Sequence, residues 1–262
     1  MGVNNLKSKM QNSKLRNLVT DSNQQWLTVP TDLTLLQDEI HIWRVELDRP
    51  ESQLQQFAKM LSDDELSRAD RLYFQQHRQR FIAGRGILRT ILGRYLEVAP
   101  QELQFCYEAF GKPVLAEQFS ESKISFNLSH CQGMALCAVT RSSTIGIDLE
   151  YTRPVSDVLM LAEQFFSQAE YAMMRSLPPN QKQEIFFRLW TCKEAYLKAT
   201  GAGISQLQQI EINLSANESA KVKNVSDWTL LEFVPARNAV AAIAVPGKIG
   251  TIKRWQYENP TV

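Results

Sequence analysis

Apolar Ile145, Ile147 and Leu149 alternate with Gly146, Asp148 and Glu150. A period of two is strand geometry, so both carboxylates leave the same face. Farther along, Trp190, Glu194 and Lys198 recur at every fourth position in a run of good helix formers that begins near Phe187. They therefore share one stripe of a helix, which Gly201 is suited to end. Two small-residue apolar runs, 133–140 and 238–245, read as buried strands. A third strand is expected over Ser125–His130, where polar positions alternate around Phe126 and Leu128.

The pattern repeats. Leu61-Ser62-Asp63-Asp64-Glu65 resembles Phe166-Ser167-Gln168-Ala169-Glu170, and each reads as a capping box that opens a helix. Phe81, Arg85 and Arg89 ahead of Gly93 mirror Trp190, Glu194 and Lys198 ahead of Gly201, and each copy closes on one of the small-residue strands. Three matches in one order predict an α+β fold: two similar halves divided near Ser142 and Ser143, with long helices on small, mostly antiparallel sheets. The expected partition is a mobile or loosely packed extension over 1–37, an N-terminal half over 38–143 and a C-terminal half over 144–262. Asp148 and Glu150 would lie near the seam, where a ligand cleft is expected.

With 262 residues, 44% hydrophobic and 22% charged, the chain can bury a sizeable core. Its net charge of +1 supplies no long-range field, so neither a nucleic acid nor a membrane is expected as partner. Any anion site must be a local cluster of bases. Cys106, Cys131, Cys137 and Cys192 show no metal-ligand spacing, and reduced thiols are expected. Lys7, Lys9, Lys14 and Arg16 stand among polar residues with no apolar run of signal-peptide length, which predicts a soluble, cytoplasmic protein.

Taken alone, Asp148 and Glu150 could face solvent on a half-buried strand, and Glu194 and Lys198 could form a surface ion pair of little worth. Together they offer three carboxylates and an ammonium, the set that a hard divalent ion and a phosphate substrate require, so a metal-assisted enzyme is the leading expectation. Bases stand elsewhere. Gly111-Lys112-Pro113 is a stiff turn that presents Lys112. Ser129 and His130 end a strand, where they could contact phosphate or simply bond neighbouring backbone. Arg68, Arg71, Arg78, Arg80, Arg85 and Arg89 make this stretch locally basic, and most of them are expected to be solvated helix-face charges.

Four segments, in order, resemble signatures of the Sfp-type 4′-phosphopantetheinyl transferases: Gly111-Lys112-Pro113, the strand ending Asn127-Leu128-Ser129-His130, Gly146-Ile147-Asp148-Leu149-Glu150, and Trp190-Thr191-Cys192-Lys193-Glu194-Ala195-Tyr196-Leu197-Lys198. The resemblance spans roughly residues 40 to 246 and leaves out the leader and the tail after Pro246. It implies a pseudo-twofold pair of α+β halves that uses coenzyme A and Mg²⁺. The implied reaction passes the phosphopantetheine arm to a serine of an apo carrier protein of fatty-acid, polyketide or nonribosomal-peptide synthesis.

By motif position, Asp148, Glu150 and Glu194 would hold Mg²⁺, and Glu194 or Glu150 would be the base. Lys198 would offset charge on the breaking pyrophosphate. Gly111, Lys112, Pro113, Ser129, His130 and Arg68 would hold the nucleotide end. Relatives often carry another base early in the first capped helix, where Glu65 and Ser67 stand here, so affinity would rest more on Arg68 or Arg71. Phe165, Phe166 and Tyr171 lie where relatives meet the carrier, and core packing is the expectation ranked ahead for them. A single chain that supplies both halves implies a monomer. The rival readings are a Mg²⁺-dependent nuclease, which usually needs an E-x-K strand absent here, and a carrier-binding module without chemistry, which should have lost an acid or the lysine.

Overall fold

A computed structural model describes residues 25–141, 144–214 and 219–258. The extension over 1–24 and the expected division point at Ser142 and Ser143 lie outside the described residues. The chain forms two compact units, one built from residues 26–143 with 250 onward and the other from 144–249. Both mix helices with small sheets, and the fold class is α+β.

In the first unit, β1 (Leu27–Thr28), β2 (Glu39–Glu46), β5 (Ser125–Cys131), β6 (Met134–Thr140) and β12 (Thr251–Gln256) make one sheet in the order β1-β12-β2-β6-β5. The pairs among β2, β6 and β5 are antiparallel, whereas β12 runs parallel to both β1 and β2. A hairpin of β3 (Phe105–Tyr107) and β4 (Pro113–Leu115) stands apart from that sheet. The helices are α1 (Glu51–Ala58), α2 (Asp63–Asp70) and the 22-residue α3 (Gln75–Leu96). Trp43 and Val45 of β2, Ile87, Leu88 and Ile91 of α3, and Trp255 of β12 meet in one core.

Strand pairing changes the expected partition. Residues 26–37 and the tail from Gly250 belong with the first unit because β12 is hydrogen-bonded between β1 and β2. Leu35, placed in the extension by sequence, is buried in the first core. A strand's neighbours are chosen across the whole chain, and no local pattern shows the choice.

The second unit carries β7 (Gly146–Tyr151), α4 (Val158–Phe165), α5 (Gln168–Ser176), the 22-residue α6 (Pro179–Thr200), the short pair β8 (Ile212–Asn213) and β9 (Lys221–Val222), then β10 (Trp228–Phe233) and β11 (Ala239–Pro246). Its main sheet is antiparallel in the order β10-β11-β7, and α6 lies across β7 and β11. Gly146 permits that approach: a Cβ there would stand 1.9 Å from the carbonyl oxygen of Ala195. Only a residue without a side chain lets helix and strand backbones come so close. Gly201 ends α6 in the left-handed region, φ 71°. As expected, Phe166 is buried in this core, with Phe165 and Tyr171 packed against it.

The repeat is present in the structure but in a different register from the one read in the sequence. Laying the two long helices end to end sets Arg89 opposite Lys193, and it sets Glu97, the left-handed residue that closes α3 with φ 55°, opposite Gly201. The bonds agree. Glu65 of the first capping box is fully buried, with Arg85 on one carboxylate oxygen and Arg89 Nε on the other at 2.7 Å. Arg89 also donates to the carbonyls of Pro100 and Leu103 at 3.0 and 2.8 Å.

In the second unit, Lys193 Nζ lies 2.6 Å from Glu170 of the second capping box and donates to the carbonyls of Leu207 and Ile210 at 2.8 and 2.5 Å. Each unit thus ties its short capped helix, its long helix and the segment after it through a buried glutamate, paired with two arginines in the first unit and with one lysine in the second. Arg85 and Arg89, two of six arginines most of which are expected in solvent, are buried.

Candidate active site

Asp148 projects from the middle of β7, paired in register with Ala242 of β11, and is only 4% exposed. Lys198, in the last turn of α6, donates from Nζ to Asp148 Oδ1 at 2.5 Å. Thr144 pins the same end of the helix, donating from Oγ1 to the Ala199 carbonyl at 2.5 Å. Glu194 sits one turn before Lys198 and is half-buried, as is Glu150. Burial raises the pKa of Glu194 above the ordinary glutamate value, and Asp148 and Glu150 raise it further, while Lys198 opposes them. The three acids and the lysine of the two motifs therefore form one electrostatic cluster at the contact of a strand with a helix. Such a cluster can take up a proton at Glu194 and hold a fixed positive charge at Lys198.

The other predicted residues lie in the first unit. Arg68 is in α2, with its guanidinium 3.7 Å from the centre of the Tyr107 ring. Gly111 takes φ 79° in the turn of the β3–β4 hairpin, Pro113 opens β4, and Lys112 is half-buried between them. Burial lowers the Lys112 pKa and Glu108 opposes the shift. Ser129 is buried and His130 exposed, as adjacent residues on opposite faces of β5 should be. A cavity of about 430 Å³ between α1 and the start of α3, lined by Leu54, Tyr73, Arg78 and Ile82, contains none of the predicted residues.

Among the described residues, no three His, Cys, Asp or Glu side chains stand together in a metal-holding group. Sequence reasoning missed two participants. Lys193, which the sequence marks only as a member of the motif beside Glu194, is the buried partner of Glu170. Tyr107 gave no signal, because its partners on α2 and α3 are far away in the chain.

Comparison with known proteins gives the family. Residues 144–244 match the model described as the 4′-phosphopantetheinyl transferase superfamily, and residues 41–142 match the one described as 4′-phosphopantetheinyl transferase, N-terminal. The 4′-phosphopantetheinyl transferase HetI of Nostoc sp. is 59% identical over 232 residues, covering 88% of this chain and 98% of HetI. This chain belongs to the 4′-phosphopantetheinyl transferase family. The transferase is also similar to Sfp of Bacillus subtilis, 30% identical over 166 residues, which cover 63% of this chain and 71% of Sfp. AcpT of Escherichia coli O157:H7 is 29% identical over 168 residues, 64% of this chain and 81% of AcpT. The two matches adjoin between residues 142 and 144.

Proposed function

We infer that this transferase moves the 4′-phosphopantetheine arm of coenzyme A to a serine hydroxyl of an apo carrier protein and releases adenosine 3′,5′-bisphosphate. The observation that carries the reading is the convergence of Asp148, Glu150, Glu194 and Lys198 where α6 crosses β7. In the reaction the serine oxygen forms a bond to the phosphorus that bears pantetheine. The bond from that phosphorus to the bridging oxygen breaks, and the nucleotide leaves with the electron pair. Glu194, whose surroundings raise its affinity for a proton, takes the hydroxyl proton, with Glu150 the second candidate. Lys198 offsets negative charge on the departing phosphate without giving up its own proton.

Asp148, Glu150 and Glu194 are oxygen donors of the kind that suits a hard divalent cation, and their repulsion at Glu194 favours such a charge, although the three do not stand together as a metal-holding group here. Mg²⁺ held by these residues would neutralise pyrophosphate charge. Arg68, Lys112, Ser129 and His130, with the backbone turn at Gly111 and Pro113, would hold the nucleotide's phosphates. The reading extends to a monomer working in the cytoplasm on carriers of fatty-acid, polyketide or nonribosomal-peptide synthesis. Among the described residues no helix is long and apolar enough to cross a membrane. The chemical side chains that a non-catalytic module would have lost are all present. Glu194 and Lys198 lie on a helix, whereas a nuclease of the type weighed would carry them on a strand.

Glu194→Gln tests the assignment. Turnover should fall at least roughly 10²-fold, the scale of a lost general base, with the circular dichroism spectrum unchanged. Near-normal turnover would contradict the role.

A further inference from the structure

We propose that Tyr107 is a positioning residue for coenzyme A, one that fixes Arg68 relative to the turn carrying Lys112. This rests on the reading that Arg68 and Lys112 hold the nucleotide.

Strand alternation places Phe105 and Tyr107 of β3 on one face and Cys106 on the other, and only Cys106 is exposed. The shared face covers a row of arginines from two helices. Arg89 and Arg85 lie 5.2 and 4.7 Å from the Phe105 ring centre, and Arg68 lies 3.7 Å from that of Tyr107. Glu65 binds both Arg85 and Arg89, so these two are committed to the core. Arg68 is different: it is half-buried, and its closest described partner is the Tyr107 ring face.

The tyrosine is itself held. Arg85 Nη2 donates to its hydroxyl at 3.2 Å, and that hydroxyl donates to Asp64 Oδ2 at 3.4 Å. On the hairpin, Tyr107 pairs in register with Pro113, and the next bond runs from Glu108 N to the Lys112 carbonyl at 2.9 Å. The turn closes from Gly111 N to the Glu108 carbonyl at 2.8 Å. One ring therefore ties α2 and α3 to the strand whose turn presents Lys112. A flexible arginine stacked on a fixed ring gives up fewer conformations when an anion binds, and that saving appears as affinity.

The test is steady-state transfer kinetics with coenzyme A varied, on the full chain. Tyr107→Val keeps strand propensity and removes the ring. It should raise KM for coenzyme A about tenfold, the scale of one cation–π contact, with kcat within about twofold and the melting temperature little changed. Tyr107→Phe, which keeps the platform, should restore most of the affinity. Combining Tyr107→Val with Arg68→Ala should cost no more than Arg68→Ala alone. Arg68→Lys leaves the hairpin untouched and loses planar stacking, so it should raise KM in the presence of Tyr107 and not in the Tyr107→Val background.

If Arg68→Ala and Lys112→Ala leave KM unchanged, the nucleotide-holding reading fails and this inference fails with it. If both raise KM while Tyr107→Val does not, or if the Tyr107 and Arg68 effects simply add, the inference about Tyr107 alone is overturned.

Discussion

His41 is completely buried in β2, a position where a charged imidazole has no water to solvate it. Trp43 Nε1 donates to the Tyr95 hydroxyl at 2.8 Å, and that hydroxyl stands 2.8 Å from His41 Nδ1. Tyr95 can donate to an unprotonated Nδ1 while it accepts from Trp43, and Nε2 then faces Glu39 Oε2 at 3.3 Å without a hydrogen-bond partner of its own. Burial pushes the His41 pKa down to about 4, with Glu39 opposing and Lys253 adding. Because the unfolded chain binds this proton more readily, the contribution is fully present above about pH 6.5 and is lost as pH falls toward 4. Urea unfolding should therefore weaken across that window by on the order of 1.4 kcal/mol per pH unit at most. His41→Asn should flatten the dependence, and an equal slope in that variant would contradict the assignment. Nothing around His41 in the sequence announces this. The carboxylates of the site were legible because strand and helix periods place them within a few positions of one another. The raised proton affinity of Glu194 was not, because it depends on how closely α6 lies on β7.

At the scale of elements, the buried pair of Glu170 and Lys193 sets the position of α6, and Glu194 is the next residue along that helix. Removing one partner leaves a buried charge without its counterion, a loss of about 3–5 kcal/mol. Glu170→Gln or Lys193→Met should each destabilise by that order in denaturant unfolding. The double change to Glu170→Leu and Lys193→Met should be milder than the sum of the two single losses. Strict additivity would mean that the residues act apart. The capping box and the C-terminal glycine of α6 could be read in advance because each involves residues three or four positions apart. The cation that meets the box lies in another helix, and only its partner in the fold distinguishes it from a surface lysine.

For the whole molecule, the duplication was visible in the sequence as two capping boxes and two small-residue strands, whereas its register and the fate of the tail were not. β12 lies between β1 and β2, and Trp255 joins the first core. A chain ending at Gly250 should therefore lose the first unit's cooperative unfolding and become open to proteolysis within residues 26–143. An unchanged digestion pattern would show that the tail is dispensable. The same two-unit construction places the acids and Lys198 in one unit and the predicted nucleotide bases in the other.

The most direct test is intact-mass spectrometry of apo carrier proteins incubated with the full chain, coenzyme A and Mg²⁺, with an EDTA control. The expected result is a metal-dependent gain of one phosphopantetheine, about 340 Da from coenzyme chemistry, on a carrier serine, and no gain with Glu194→Gln. A carrier mass that stays at its apo value with every carrier class tried, while the protein remains folded and binds coenzyme A, would contradict it.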